Sequence, residues 1–212
     1  MSKKPILVVE SPSKARTISK YLDGDFEVLA CVGHVKDLPK NKLNIDVHNN
    51  FKATLEVLSD RKQFIQELKS KAKTASKVIL AMDPDREGEA IADHIAQEIP
   101  KATIERIQFL EITKTAIKNA LDQPRPLNTN LISAQMTRRI IDRLVGYLIS
   151  PVLWGTLQKN MKFVKTALSA GRVQSAAVKI MIDRERERVR FKQANYFDLK
   201  AILKSAYSEN FE

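Results

Sequence analysis

One seven-residue run constrains this chain most: Asp83-Pro84-Asp85-Arg86-Glu87-Gly88-Glu89. Residues 77–82, just before it, form a short apolar run that reads as a buried strand. Residues 90–96, just after it, carry helical spacing. Four carboxylates at alternate positions therefore stand where a strand ends and a helix begins. In an open α/β sheet that is the edge at which ligands collect. Pro84 holds the backbone extended and biases Asp83 away from the helical region. Alternation in an extended segment would aim Asp83, Asp85 and Glu87 to one side. Hard oxygen ligands of this kind suit Mg2+, which takes one or two carboxylates with phosphate oxygens and water. The same residues also fit a solvated acidic helix start, because acids favour a helix N-terminus.

Around this run the pattern alternates. Residues 5–10 are a continuous apolar run, as in a central parallel strand. Ser11 or Ser13 caps a helix ending near residues 21–24, and residues 26–32 read as a second strand. Residues 33–39 form a turn and polar connection, and residues 40–52 predict an irregular excursion. A basic helix follows over 57–73, then a strand over 103–109 and a helix capped by Thr113. Strands alternating with helices predict a doubly wound α/β unit with a parallel sheet flanked by helices.

The composition shifts at Asp122-Gln123-Pro124-Arg125-Pro126, which reads as a linker. Residues 130–148 carry a one-sided apolar stripe. Ser150-Pro151 signals the start of a second short helix. Residues 155–166 read as a basic loop and residues 171–191 as a long helix whose alternating charges make a solvated, salt-bridged surface. Residues 196–203 alternate like a strand. Tyr147 and Trp154 are expected in the core. Three parts result: an α/β domain over 1–123 with an irregular excursion near 38–56, a helical segment over 124–192, and the start of a β-containing domain over 193–212.

The 212 residues carry a net charge of +11, which beside a local acidic cluster suggests a polyanion partner, nucleic acid first. No basic amphipathic helix favours a membrane surface, and no apolar stretch is long enough to span one. Cys31 is the single cysteine, which excludes an internal disulfide and a cysteine zinc cluster. No signal peptide is expected, and the expected compartment is the reducing cytoplasm. The phosphate-loop, dinucleotide, zinc-protease and serine-elbow motifs are all absent.

Glu10 ends the first strand as Asp83 ends a later one, so both open on one sheet edge. A carboxylate among carboxylates has its pKa raised, which makes Glu10 a candidate general acid; its alternative is a plain helix-start acid. Lys14, in the first helical turn, lies near enough to steady a phosphate. His34 follows Gly33 at a strand end and is either functional or a satisfied structural residue. His94 reads as structural, and His48 is uninformative. Arg138 and Asp142 are four apart on one helix and can pair, while Arg139 and Arg143 line a face. Ser169-Ala170-Gly171-Arg172-Val173-Gln174-Ser175 opens another helix, whose N–H groups suit phosphate. These places track a DNA or RNA backbone, or else are helix packing with solvated arginines.

Taken together, these residues resemble a known family. Val8-Val9-Glu10-Ser11-Pro12-Ser13-Lys14-Ala15, Val32-Gly33-His34, the acidic run through Ala92, Glu111-Ile112-Thr113-Lys114, Ala134-Gln135 with Arg138-Arg139, Asp142-Arg143-Leu144-Val145-Gly146-Tyr147, Ser150-Pro151, Leu153-Trp154 and Leu168 to Ser175 follow one another as in the bacterial type IA DNA topoisomerases. The likeness runs from about residue 4 to residue 190. Leu110 and Asp93 depart from it, where the family has asparagine and often tryptophan.

The resemblance implies a Toprim domain for the α/β part. Asp83, Asp85 and Glu87 would hold Mg2+, with Glu10 beside them as a further ligand. Glu10 would also donate a proton to the leaving 3′ hydroxyl, and Lys14 would sit by the scissile phosphate. Arg138, Asp142, Arg172 and Gln174 fall where the family binds the single strand, and His34, Arg106 and Arg139 join them as expected DNA contacts. The implied activity is ATP-independent relaxation of negatively supercoiled DNA by transient cleavage, strand passage and resealing. The implied partners are a single-stranded segment of that duplex and the remaining domains of the same enzyme, as a nucleoid-associated monomer. Tyr21, Tyr147, Tyr196 and Tyr207 all lack the context of the family's nucleophile. The chain is therefore expected to be the N-terminal part of a longer enzyme, inactive alone. Two rival readings remain: a self-sufficient nuclease or phosphotransferase whose acids activate water, and a piece that only binds DNA.

Overall fold

The apolar runs that read as strands pair into one sheet. The computed structural model describes residues 4–157, 167–204 and 210–211. β1 (Ile6–Val9) leads through α1 (Pro12–Tyr21) to β2 (Glu27–Ala30). Four two-residue strands follow, β3 (Lys36–Asp37), β4 (Ile45–Asp46), β5 (Lys52–Ala53) and β6 (Glu56–Val57). A 3-10 turn at Ser59–Arg61 opens α2 (Lys62–Ala72), and β7 (Val78–Leu80), α3 (Arg86–Glu98), β8 (Ile104–Arg106) and α4 (Lys114–Leu121) come next. α5 (Thr129–Thr156), α6 (Arg172–Arg190), β9 (Leu203–Lys204) and β10 (Asn210–Phe211) complete the order.

The main sheet runs β2-β1-β7-β8, with every pairing parallel. The chain leaves β1 on one side to form β2 and returns on the other to form β7. Winding therefore reverses between β1 and β7, and a doubly wound sheet opens its crevice at that reversal. Val8 pairs with Leu80, and the Ala81 N–H donates to the Val8 carbonyl at 2.8 Å. Glu10 and Asp83 consequently leave the sheet side by side.

Successive strand residues face opposite sides. Ile6, Val8, Val78, Leu80 and Met82 pack with Ile65 and Leu68 of α2 and with Ile91 and Ile95 of α3. Leu7, Val9, Ile79 and Ala81 pack with Ile18 of α1 and Ile117 of α4. Cover on both faces is what makes the strand sequences continuously apolar. Caps fix where helices start. Ser11 Oγ accepts from the Lys14 N–H at 3.3 Å, Thr113 Oγ1 from Ala116 at 3.2 Å, and Asn128 Oδ1 from Asn130 and Leu131 at 3.1 Å each.

Several expectations need correction. The excursion is not irregular throughout: β3 pairs with β6 and β4 with β5, both antiparallel. Alternation over two residues leaves no readable period. Ser150-Pro151 starts no new helix, because α5 runs through Pro151. Proline removes one backbone donor, and the helix continues on both sides of it. Tyr147 and Trp154, expected in the core, are 41% and 44% exposed. An apolar stripe needs a partner surface, and the spacing alone cannot say whether these residues supply one. The strand expected over 196–203 is regular only from Leu203. Residues 158–166, most of the expected basic loop, lie outside the described residues.

The residues cluster into two compact units, 1–169 and 170–212. α5 packs on α3 within the first. In the second unit α6 buries none of its residues. It carries the expected ladder of ion pairs, including Lys179–Asp183 at 2.8 Å and Arg188–Glu185 at 2.6 Å. No helix among the described residues is long and apolar enough to cross a membrane.

Candidate active site

The reversal of the sheet brings Glu10, Lys14 and Asp83 together. Ser11 caps α1, which puts Lys14 in its first turn, and the Lys14 ammonium donates to Asp83 Oδ1. Burial raises the proton affinity of Glu10 above the ordinary glutamate range. The Asp83 charge and a hydrogen bond with its carboxyl add to the rise, Lys14 opposes it, and Asp85 contributes a little more.

Asp85 is the cap of α3 and accepts from the Gly88 N–H at 2.7 Å. Gly88 is required there, because a Cβ would fall 2.2 Å from the Asp83 carbonyl oxygen. Helical geometry thus begins at Arg86, and the extended alternation expected for the acids stops at Asp85. Glu87 turns instead toward His34 and α5. Its Oε2 lies 2.8 Å from His34 Nε2 and accepts from Gln135 Nε2 at 3.2 Å. His34 follows Val32 at φ 59° and Gly33 at φ 86°, a left-handed pair that turns the chain after β2. His94, read as structural, is buried on α3, and its imidazole is pushed down to about 4 by that burial first and by neighbouring positive groups second.

Two residues past Glu87 a helix has turned through about 200°, so Glu89 faces the interior. It is fully buried. Arg106 donates to its Oε1 from Nε at 2.9 Å, with Nη2 ion-paired to that oxygen at 2.8 Å, Arg125 donates to the same oxygen, and the Asn128 N–H donates to Oε2 at 2.9 Å. Burial alone would raise the Glu89 carboxyl, but the Asn128 N–H and then the arginines hold it below its usual range.

Arg106 was expected on the DNA face and is not there. It is 1% exposed and also donates to the carbonyls of Leu80 at 3.1 Å, Asp83 at 2.9 Å and Ile107. An arginine at the end of a buried strand commits four of its five N–H donors to backbone carbonyls and Glu89 instead of phosphate. Arg125, in the expected linker, is likewise tied to Glu89, and its backbone N–H donates to the Arg106 carbonyl at 2.8 Å.

The arginines of α5 divide. Arg138 pairs with Asp142 at 3.6 Å, as its spacing predicts, and both remain partly exposed. Arg139, expected to contact DNA, binds Asp37 at 2.7 Å. Arg143 donates to the carbonyls of Leu38 at 3.1 Å and Pro39 at 2.9 Å. Arg172 and Gln174 open α6 in the second unit.

Among the described residues no three His, Cys, Asp or Glu side chains gather closely enough to hold a metal ion. Glu10, Asp83, Asp85 and Glu87, expected as ligands, therefore do not form one cage. The chemistry of the edge still fits a hard cation, because Glu10 is raised partly by its carboxylate neighbours. Asp83 and Asp85 alone satisfy the one or two carboxylates that Mg2+ needs. The sequence pointed to these acids but not to Gln135, which entered only within a motif, nor to the internal role of Glu89. The helical turn of about 200° between Glu87 and Glu89 was the available clue.

Comparison with known proteins identifies the family. A sequence profile described as the Toprim domain matches residues 5–112, and one described as DNA topoisomerase matches residues 126–212. DNA topoisomerase 1 of Campylobacter jejuni is 50% identical over 204 residues, which cover 95% of this chain and 28% of that protein. Full-length topoisomerase I from Thermotoga maritima superposes with a TM-score of 0.75 at 44% identity, over 88% of this chain and 31% of that one. The chain thus spans less than a third of the length of these relatives.

Proposed function

Because this chain belongs to the bacterial type IA DNA topoisomerase family, we propose that it supplies the acidic half of the cleavage and resealing centre of an ATP-independent, Mg2+-dependent enzyme that relaxes negatively supercoiled DNA. One observation carries this reading: Glu10 and Lys14 meet Asp83, which lies 69 positions beyond Lys14, where the sheet reverses. Glu10, whose proton affinity is raised, donates a proton to the leaving 3′ oxygen and takes it back on resealing. Lys14 steadies the scissile phosphate. Asp83 and Asp85, with Glu87 and Glu10 near them, are the residues that would hold Mg2+. The ion, when bound, would neutralise phosphate charge. His34 and Gln135 orient Glu87.

The strand itself is held by Arg138 and Asp142 on α5 and by Arg172 and Gln174 on α6, in single-stranded form. Arg139 serves the fold through Asp37. The attacking tyrosine, which leaves a 5′-phosphotyrosine link, belongs to protein outside these residues. Residues 1–123 are assigned to the Toprim domain, 124–192 to the DNA-binding helical segment and 193–212 to a further domain. The enzyme works as a monomer on the nucleoid in the cytoplasm.

The test is direct. The isolated chain is expected to bind a single-stranded oligonucleotide and to leave a negatively supercoiled plasmid unrelaxed, with or without Mg2+. Robust relaxation by the chain alone would overturn the division of the active site.

A further inference from the structure

The hairpin β4–β5 ends in Val47-His48-Asn49-Asn50-Phe51, all exposed. Asn50 and Phe51 both have left-handed backbones, at φ 48° and φ 55°. Asparagine tolerates that region, whereas a bulky aromatic there is an outlier. Phe51 is nevertheless 49% exposed, and its ring joins neither core cluster. Glycine or asparagine would make the same turn with less strain, so the fold gives no reason for a phenylalanine. Strained residues persist where surrounding structure holds them, and they concentrate at binding sites.

The surroundings do hold this one. The Lys52 N–H donates to the Asn49 carbonyl at 2.9 Å, the Asn49 N–H to the Asp46 carbonyl at 3.2 Å, and the His48 N–H to Asp46 Oδ1 at 3.1 Å. Below the tip Ile45 is buried, and Asn44 Nδ2 donates to the Thr54 carbonyl at 2.6 Å. The segment leading into the hairpin is fixed by Arg143 on the Leu38 and Pro39 carbonyls and by Arg139 on Asp37. Both arginines come from α5, the helix that carries Arg138 and Asp142. Lys40, Lys42 and Lys52 are exposed on this excursion, against Asp46 and Glu56.

We propose that this tip is a second contact for single-stranded nucleic acid, with Phe51 stacking on an unpaired base and Lys52 beside it on a phosphate. Every base offers a π-face to a rigid aromatic, and lysines supply the sequence-independent attraction. Beside Val47, the residues flanking Phe51 along the tip are His48, Asn49, Asn50 and Lys52, which suits a polyanion better than an apolar protein surface. The inference rests on the DNA-binding reading above and adds a surface to it.

The experiment is fluorescence anisotropy of a labelled oligothymidylate titrated with the chain, over a series of salt concentrations, for the wild type, Phe51→Gly, Phe51→Asn and Lys52→Ala. Both Phe51 variants are expected to bind about fivefold or more weakly, with the salt dependence unchanged. Lys52→Ala is expected to reduce the slope of log affinity against log salt by about 0.7. The thermal midpoint of both Phe51 variants is expected to match or exceed the wild type, because the left-handed strain is relieved. Wild-type affinity in both Phe51 variants overturns the proposal and leaves the DNA-binding reading standing. A lowered midpoint in both variants overturns it too, making Phe51 a packing residue. A wild-type chain that does not bind the oligonucleotide overturns both readings together.

Discussion

Glu10 and Glu89 are the same residue type in one small α/β unit, and their surroundings treat them oppositely. Glu10 stands at the open edge with Asp83 beside it, and its proton affinity rises. Glu89 is sealed inside, ringed by Arg106, Arg125 and the Asn128 N–H, and its proton affinity falls although burial works against that. The difference is one of supply. Arginine and backbone donors go to the carboxylate that holds α3, β8 and the start of α5 together. Glu10, Asp83 and Asp85 receive one lysine and a helix N-terminus, which leaves negative charge unbalanced where a phosphate and a cation would meet. The two are linked, since Arg106 also grips the Asp83 carbonyl at 2.9 Å.

That contrast can be broken most severely from the inside. Glu89→Ala leaves Arg106 buried without its carboxylate, and breaking a buried pair in this way costs about 3–5 kcal/mol. Urea unfolding of the chain measures the loss; a loss under about 1 kcal/mol would mean that the network does not hold these elements. A second comparison sets Glu89 against His94, which is also buried but is kept neutral, with Nδ1 lacking a partner among the described residues. Its folded value of about 4 lies below the ordinary 6.5, so the unfolded chain takes up the proton first. Stability from this residue is therefore full above pH 6.5 and is lost as pH falls toward 4, by up to roughly 3 kcal/mol. His94→Gln is expected to flatten unfolding free energy against pH over that window; an unchanged slope would remove His94 as its cause.

Much of this was legible in the sequence, for reasons that particular residues make plain. The apolar runs before Glu10 and Asp83 read as buried parallel strands, whose ends share an edge. Thr113 was readable as a cap, and Ser11 as one of two candidates with Ser13, because capping is local. The fate of Glu89 and Arg106 was not readable, since it depends on β8 lying beside β7. Arg138, Arg139 and Arg143 look alike in a helical pattern, and only the 37–39 segment packed on α5 separates the last two from the first. Phe51 carried no sequence signal, because its left-handed backbone follows from the five-residue loop between two-residue strands.

The most direct measurement is the carboxyl titration of Glu10 by NMR in the metal-free chain, alone and with Asp83→Asn. The expected midpoint lies above the ordinary glutamate value and moves back toward it when Asp83 loses its charge, while Glu89 titrates below its usual range in both proteins. A Glu10 midpoint at or below the ordinary value, or one indifferent to Asp83→Asn, would contradict the unbalanced edge on which the account depends.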